Sequence, residues 1–135
     1  MEPSNDLMRG EALVVDDSKA MRMILSRILT SLGFTVHQAV DGLDGLERLE
    51  ATEGIGLALV DWNMPKMDGI EFVRAVRQHD RLHHVRMLMV SSETDRSRIE
   101  TALAAGADEY AMKPFDVETI RAKLELIGMR TPSDA

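Results

Sequence analysis

Ile55-Gly56-Leu57-Ala58-Leu59-Val60-Asp61-Trp62-Asn63-Met64-Pro65 is the stretch whose reading decides the fold. Residues 55–60 form an apolar run of strand length, and the run ends in a carboxylate. Pro65 lacks the N–H that a sheet ladder needs and pushes Met64 toward extended geometry, so the strand stops near here. Asp61 is therefore expected where a strand leaves its sheet and meets water. A carboxylate so placed can act as a nucleophile, a metal ligand or a helix cap, and the rest of the chain decides among them.

Upstream, residues 12–15 read as a first strand that ends at Asp16-Asp17. Ser18 is a candidate N-cap for a helix carrying Met21, Ile24, Leu25, Ile28, Leu29 and Leu32 as one apolar stripe, closed by Gly33. Residues 34–39 form a second, more polar strand. Residues 41–51 place Leu43, Leu46 and Leu49 on a helix that Gly42 and Gly45 weaken. Downstream, Asp68 caps a helix bearing Ile70, Val73 and Val76, and residues 85–90 make a fourth strand. Thr94 or Asp95 opens a helix with Ile99, Ala102 and Leu103 that ends at Gly106. Its apolar face is mostly alanine, so it buries little and is held loosely. A short fifth strand, 109–112, runs into Lys113-Pro114, and Asp116 caps a last helix with Val117, Ile120, Leu124 and Ile127.

Five strand–helix units in series predict an α/β fold, a parallel sheet with helices on both faces. Strands one, three and four are apolar throughout, as expected of strands covered on both sides, whereas strand two alternates and strand five is short. Edges suit the latter two, and an order of 2-1-3-4-5, the known doubly wound flavodoxin-like arrangement, satisfies this. The domain is expected over 11–128, with tails at 1–10 and 129–135. The chain has 135 residues, enough for one core, and no cysteine, which removes disulfides and thiolate metal sites. A formal charge of −7 argues against nucleic acid as a direct ligand. No apolar run reaches membrane-spanning length and residues 1–10 lack an apolar signal core, so a cytoplasmic protein is expected. The ten methionines are read as mostly core, and His83-His84 as solvated turn residues.

Ligands of such sheets bind beyond the carboxyl ends of the strands, at the switch in strand direction. Strand one delivers Asp16 and Asp17 there, strand three Asp61, strand four Ser91 with Ser92, and strand five Lys113. Like charges a few ångströms apart repel by roughly 4 kcal/mol per pair at an effective dielectric of about 20, so three carboxylates need a cation. With oxygen ligands alone, Mg²⁺ fits better than zinc. Such an ion with a nearby lysine makes a receptor for a transferring phosphoryl group, and a carboxylate can be its acceptor.

Four motifs in this order resemble those of response-regulator receiver domains, in particular the stand-alone CheY-like chemotaxis type. They are Val14-Val15-Asp16-Asp17-Ser18, Asp61-Trp62-Asn63-Met64-Pro65-Lys66-Met67-Asp68-Gly69, Met89-Val90-Ser91-Ser92-Glu93 and Tyr110-Ala111-Met112-Lys113-Pro114-Phe115. The resemblance implies that Asp61 is phosphorylated, and that Asp17, Asp61 and the Asn63 carbonyl ligate Mg²⁺ with Asp16 acting through a water. It implies switch roles for Ser91, where threonine is usual, and Tyr110, a phosphoryl contact for Lys113, and a cis bond before Pro114. Asn63 and Glu93 become candidates for tuning hydrolysis of the acyl phosphate, while Lys66 and Asp68-Gly69 read as turn and cap. The chain would then be no conventional enzyme, catalysing only its own phosphorylation and dephosphorylation. Its expected partners are a histidine kinase and a protein target on the face of the fourth helix, fifth strand and fifth helix. A flagellar motor switch is one candidate target; a phosphatase is a further candidate partner, and a monomer is the expected state. A phosphorelay intermediate, a phosphate sink or a docking module are the alternatives within the family. A haloacid-dehalogenase-type phosphatase would want an aspartate where Asn63 stands, and a flavin carrier would be repelled by Asp16-Asp17.

Overall fold

Alternating apolar runs and capped helical stripes produce β1 (Glu11–Val15), α1 (Lys19–Ser31), β2 (Thr35–Ala39), α2 (Gly42–Ala51), β3 (Ile55–Asp61), α3 (Gly69–Gln78), β4 (Arg86–Ser91), α4 (Arg96–Ala105), β5 (Glu109–Met112) and α5 (Val117–Leu126). The structure, a computed structural model, describes residues 10–92, 96–113 and 116–129. The expected tails lie outside the described residues apart from Gly10 and Met129, as do Thr94 and Asp95, the expected openers of α4.

All pairings are parallel and the strand order is β2-β1-β3-β4-β5, as the edge reasoning requires. Period-2 alternation splits the strand side chains between two layers. Leu13, Val15, Ala58, Val60, Met87 and Met89 face α2, α3 and α4, with Phe72, Val73 and Val76 of α3 filling the centre. Ala12, Val14, Leu57, Leu59, Leu88 and Val90 face α1 and α5 through Leu25, Leu29, Ile120 and Leu124.

Local chemistry sets the helix ends. Ser18 accepts the Met21 N–H, and α1 closes with a Schellman pair, Phe34 N–H to the Leu29 carbonyl and Gly33 N–H to that of Thr30. Gly33 has φ 109°, the left-handed geometry that ends the helix. Asp68 and Glu71 form a reciprocal capping box at the start of α3, so Asp68 is a cap as expected.

Several details depart from expectation. Ile24 is 48% exposed and Leu43 47%, so neither belongs to its helix's buried face. At 100° per residue Ile24 stands roughly 90° from the axis of the stripe formed by Leu25, Ile28, Leu29 and Leu32. Gly42 and Gly45 are buried packing positions rather than mere weaknesses. A Cβ on Gly45 would fall 2.8 Å from the Phe72 ring, and one on Gly42 2.7 Å from Met67. The two glycines let α2 lie close against α3 and the Met67 side chain that precedes it. Among the described methionines, Met87 and Met89 are fully buried and only Met23 and Met112 are exposed, in keeping with a mostly core placement. Met21, Met64, Met67 and Met129 pack at the core's margin.

Candidate functional site

The sheet register brings the chemistry together. Val15 pairs with Val60, so Asp16 and Asp61, the next residue on each strand, reach the carboxyl edge side by side. Asp61 pairs with Val90, which puts Ser91 one step beyond it, and Ser91 pairs with Met112, one step before Lys113. The Lys113 N–H donates to the Ser91 carbonyl at 2.9 Å, tying the ends of β4 and β5. Asp61 is itself the last residue of β3, one position later than the apolar run suggested.

Asp16, Asp17 and Asp61 each turn a carboxylate oxygen toward one point, all within 4.8 Å of one another. Asp16 and Asp61 are buried and Asp17 is exposed. Lys113 Nζ stands 3.9 Å from Asp61 Oδ1. Asp16 Oδ1 accepts the Ser18 N–H at 2.8 Å, and Arg22 donates to the Asp16 carbonyl at 2.7 Å, which fixes the β1–α1 turn. Asp16 Oδ2, by contrast, is buried with no hydrogen-bond partner. A buried carboxylate oxygen without a donor is costly and marks a place where a cation fits. Donor chemistry agrees: three carboxylates and no nitrogen or sulfur ligand suit a hard ion such as Mg²⁺.

Electrostatics record the same crowding. Burial, then the charge of Asp16, pushes the Asp61 carboxyl up from 3.8 to about 6, with Lys113 opposing. Burial likewise raises Asp16, against the hydrogen bond from Ser18.

Ser91 is buried at the end of β4, and the Asn63 side chain is exposed in the loop after Asp61. Glu93 and Pro114, the latter with its expected cis bond, lie outside the described residues. Tyr110 is only 3% exposed, and its ring meets that of Trp62 edge-on, centroids 6.3 Å apart at 63°. His83 and His84 are exposed, as read from sequence.

Two contributors, Gly69 and Arg98, escaped sequence reasoning, while Lys66 stands in the turn where the sequence placed it. Gly69 opens α3 against the end of β3, where a Cβ would lie 2.4 Å from the Asp61 carbonyl oxygen, and its N–H donates to Trp62 at 2.8 Å. Only the Asp-Gly pair after Pro65 hinted at this. Lys66 adopts φ 70° and sits 3.9 Å from the α2 cap Asp41. Arg98 lays its guanidinium 4.7 Å from the Trp62 ring centroid across 36 residues of chain, for which no local pattern exists.

Comparison with known proteins agrees with this geometry. The family model described as response regulator receiver domain matches residues 12–125. The chain is 41% identical over 119 residues to the chemotaxis protein CheY of Pseudomonas aeruginosa, covering 87% of this chain and 95% of that one. It is 37% identical over 116 residues to CheY1 of Helicobacter pylori, covering 85% and 94%. Among solved structures, CheY4 of Vibrio cholerae superposes with a TM-score of 0.82 at 33% identity, over 88% of this chain and 98% of that one. CheY in a CheX–CheY–BeF3–Mg complex from Borrelia burgdorferi superposes with a TM-score of 0.81 at 27% identity, over 90% of each.

Proposed function

Because the chain belongs to the response regulator receiver domain family, as a CheY-like module of two-component signalling, we propose that Asp61 is its phosphoacceptor and a histidine kinase its phosphodonor. The observation that carries this reading is the meeting of Asp16, Asp17 and Asp61 at one point, with Lys113 3.9 Å from Asp61. An Asp61 oxygen attacks the phosphorus of the donor; the P–N bond to the donor histidine breaks as the P–O bond forms, and the imidazole leaves with the electron pair. Asp61 attacks as the carboxylate, which predominates above the value of about 6 that its surroundings impose. Lys113 neutralises one phosphoryl oxygen and the Ser91 hydroxyl donates to another.

Asp17, Asp61 and the Asn63 carbonyl would hold Mg²⁺, with Asp16 acting through a water. Bound there, the ion supplies positive charge that relieves carboxylate repulsion and offsets charge on the phosphoryl oxygens. Asn63 and Glu93 are the residues we assign to tuning the later hydrolysis of the acyl phosphate. Ser91 and Tyr110 relay the change to the surface of α4, β5 and α5, where Leu103, Met112, Val117 and Leu126 are exposed and available to a protein target. The chemotaxis names of the relatives favour a chemotaxis-type output; a flagellar motor switch is the target we propose for it and a phosphatase the second partner. The module acts over 11–128 as a cytoplasmic monomer; none of its described helices is long and apolar enough to cross a membrane.

Treatment with acetyl phosphate and Mg²⁺, read by intact mass and peptide mapping, tests this. One phosphoryl adduct is expected on Asp61 and none on Asp61→Asn. An adduct elsewhere, or none on the wild type, overturns the reading.

A further inference from the structure

Trp62 follows the acceptor directly, and its ring is held from two sides. Tyr110 meets it edge-on from β5, and Arg98 of α4 covers it at 4.7 Å. Arg98 Nη1 is buried there with no hydrogen-bond partner. A guanidinium N–H stripped of water without an acceptor is unfavourable, so the placement must be maintained by the ring beneath it. The rest of α4 offers little competing anchorage: Ala102 is buried, Ile99 half-buried and Leu103 exposed. Tyr110 is buried, 3% exposed, and so occupies the inward position that the proposed switch assigns to it.

We infer that Arg98 is a positioning residue of the site: by capping Trp62 it holds the indole against Tyr110 and keeps the Tyr110 ring inward, the arrangement that favours phosphorylation. The inference rests on Asp61 as acceptor for its consequence, but not for its geometry. Arg98 touches neither acceptor nor ion ligands; it acts through one aromatic contact on another. Linkage gives the sign. If the cap favours the Tyr110-in arrangement, and phosphorylation favours the same arrangement, removing the cap must weaken binding of a phosphoryl mimic. A cation–π contact of about 0.5–2 kcal/mol, at 1.4 kcal/mol per tenfold, sets the loss at about 2- to 30-fold.

The chain has one tyrosine and one tryptophan, so each reports alone. With 3-fluorotyrosine incorporated, the single ¹⁹F resonance of ligand-free wild type should show the small H₂O/D₂O solvent shift of a buried ring. Arg98→Ala and Arg98→Met should move it toward the exposed value, and Arg98→Lys, which keeps a cation for the indole, should restore it in part. Beryllofluoride with Mg²⁺, titrated by Trp62 emission, should bind Arg98→Ala and Arg98→Met 2- to 30-fold more weakly than wild type and Arg98→Lys in between. Urea midpoints establish that each variant is folded at the temperature used; should the alanine variant fail, the methionine and lysine pair still separates charge from packing. An unchanged ¹⁹F resonance in Arg98→Met, or equal behaviour of the methionine and lysine variants, overturns the inference. If wild type ignores beryllofluoride, the acceptor assignment fails, while the ligand-free ¹⁹F comparison still decides the role of Arg98.

Discussion

Replacing Asp61 by asparagine should make the metal-free protein more stable, although it removes the proposed acceptor. Burial and the neighbouring Asp16 raise the Asp61 carboxyl from 3.8 to about 6. In the unfolded chain that carboxyl returns to its ordinary value, so ionisation is easier unfolded than folded. Below pH 3.8 the group is protonated in both states and costs nothing. Between 3.8 and about 6 the cost grows with pH, and above 6 it is full. At about 1.36 kcal/mol per pH unit this amounts to roughly 3 kcal/mol at pH 7.5. Asparagine keeps the shape, carries no charge and can donate to Asp16. Asp61→Asn should therefore gain about 2–3 kcal/mol in urea unfolding with EDTA at pH 7.5, and less than about 0.5 kcal/mol at pH 4. Millimolar Mg²⁺ should then narrow the gap, because binding stabilises the wild type through a ligand the variant lacks. Equal stability of the two proteins at pH 7.5 in EDTA, or a gap that does not shrink in acid, would refute the account of the acidic pocket as strained.

The same pocket predicts that Mg²⁺ binding, followed by Trp62 emission, weakens below pH 6 toward about tenfold per pH unit, since the proton on Asp61 must first leave; a flat affinity between pH 7.5 and 5 would contradict this. Gly69→Ala puts a Cβ 2.4 Å from the Asp61 carbonyl; it should cost about 1–3 kcal/mol and slow phosphorylation by acetyl phosphate about 10²-fold through displacement of Asp61. Arg77 donates to the carbonyls of Gly106 at 2.8 Å and Val85 at 2.7 Å and to Asp108 at 2.8 Å. Arg77→Met should lower stability by about 2–4 kcal/mol in urea while leaving the phosphorylation rate within twofold, because these bonds lie at the opposite end of β4 from Ser91.

Sequence pattern revealed the topology because the strands differ in how many faces they bury. Val14, Leu59 and Leu88 lie in one layer and Leu13, Val60 and Met87 in the other, so β1, β3 and β4 read as unbroken apolar runs and had to be central. The acidic and lysine set was legible for a related reason: each residue ends a strand, and strand ends of a parallel sheet share one edge. What the pattern hid depends on distances between elements. Gly45 looks like a weak helix residue until Phe72 stands where its side chain would be. Gly69 looks like turn chemistry until its hydrogen is the only substituent that fits against Asp61. Arg98 carries no periodic or motif signal, because a guanidinium over an indole joins two elements that only the finished fold brings together.

That division has a consequence for how the site can be tuned. The residues at the strand ends are fixed by register: moving Asp16 or Asp61 by one position would turn its side chain to the other face of the sheet. Variation in rate or in switching must therefore enter through groups that lean on the edge from outside the sheet, on α4 and in the β3–α3 loop. Trp62 and Lys66 stand in that loop, Gly69 at its end where α3 opens, and Arg98 on α4. Of the four, Arg98 alone combines a charge with a contact to the Trp62 ring and a place on α4, part of the face to which the proposed switch leads. A cation held there by a ring rather than by an anion leaves no carboxylate stranded when the contact breaks, so the contact can bias α4 toward the arrangement that the phosphoryl group is proposed to favour without locking it there.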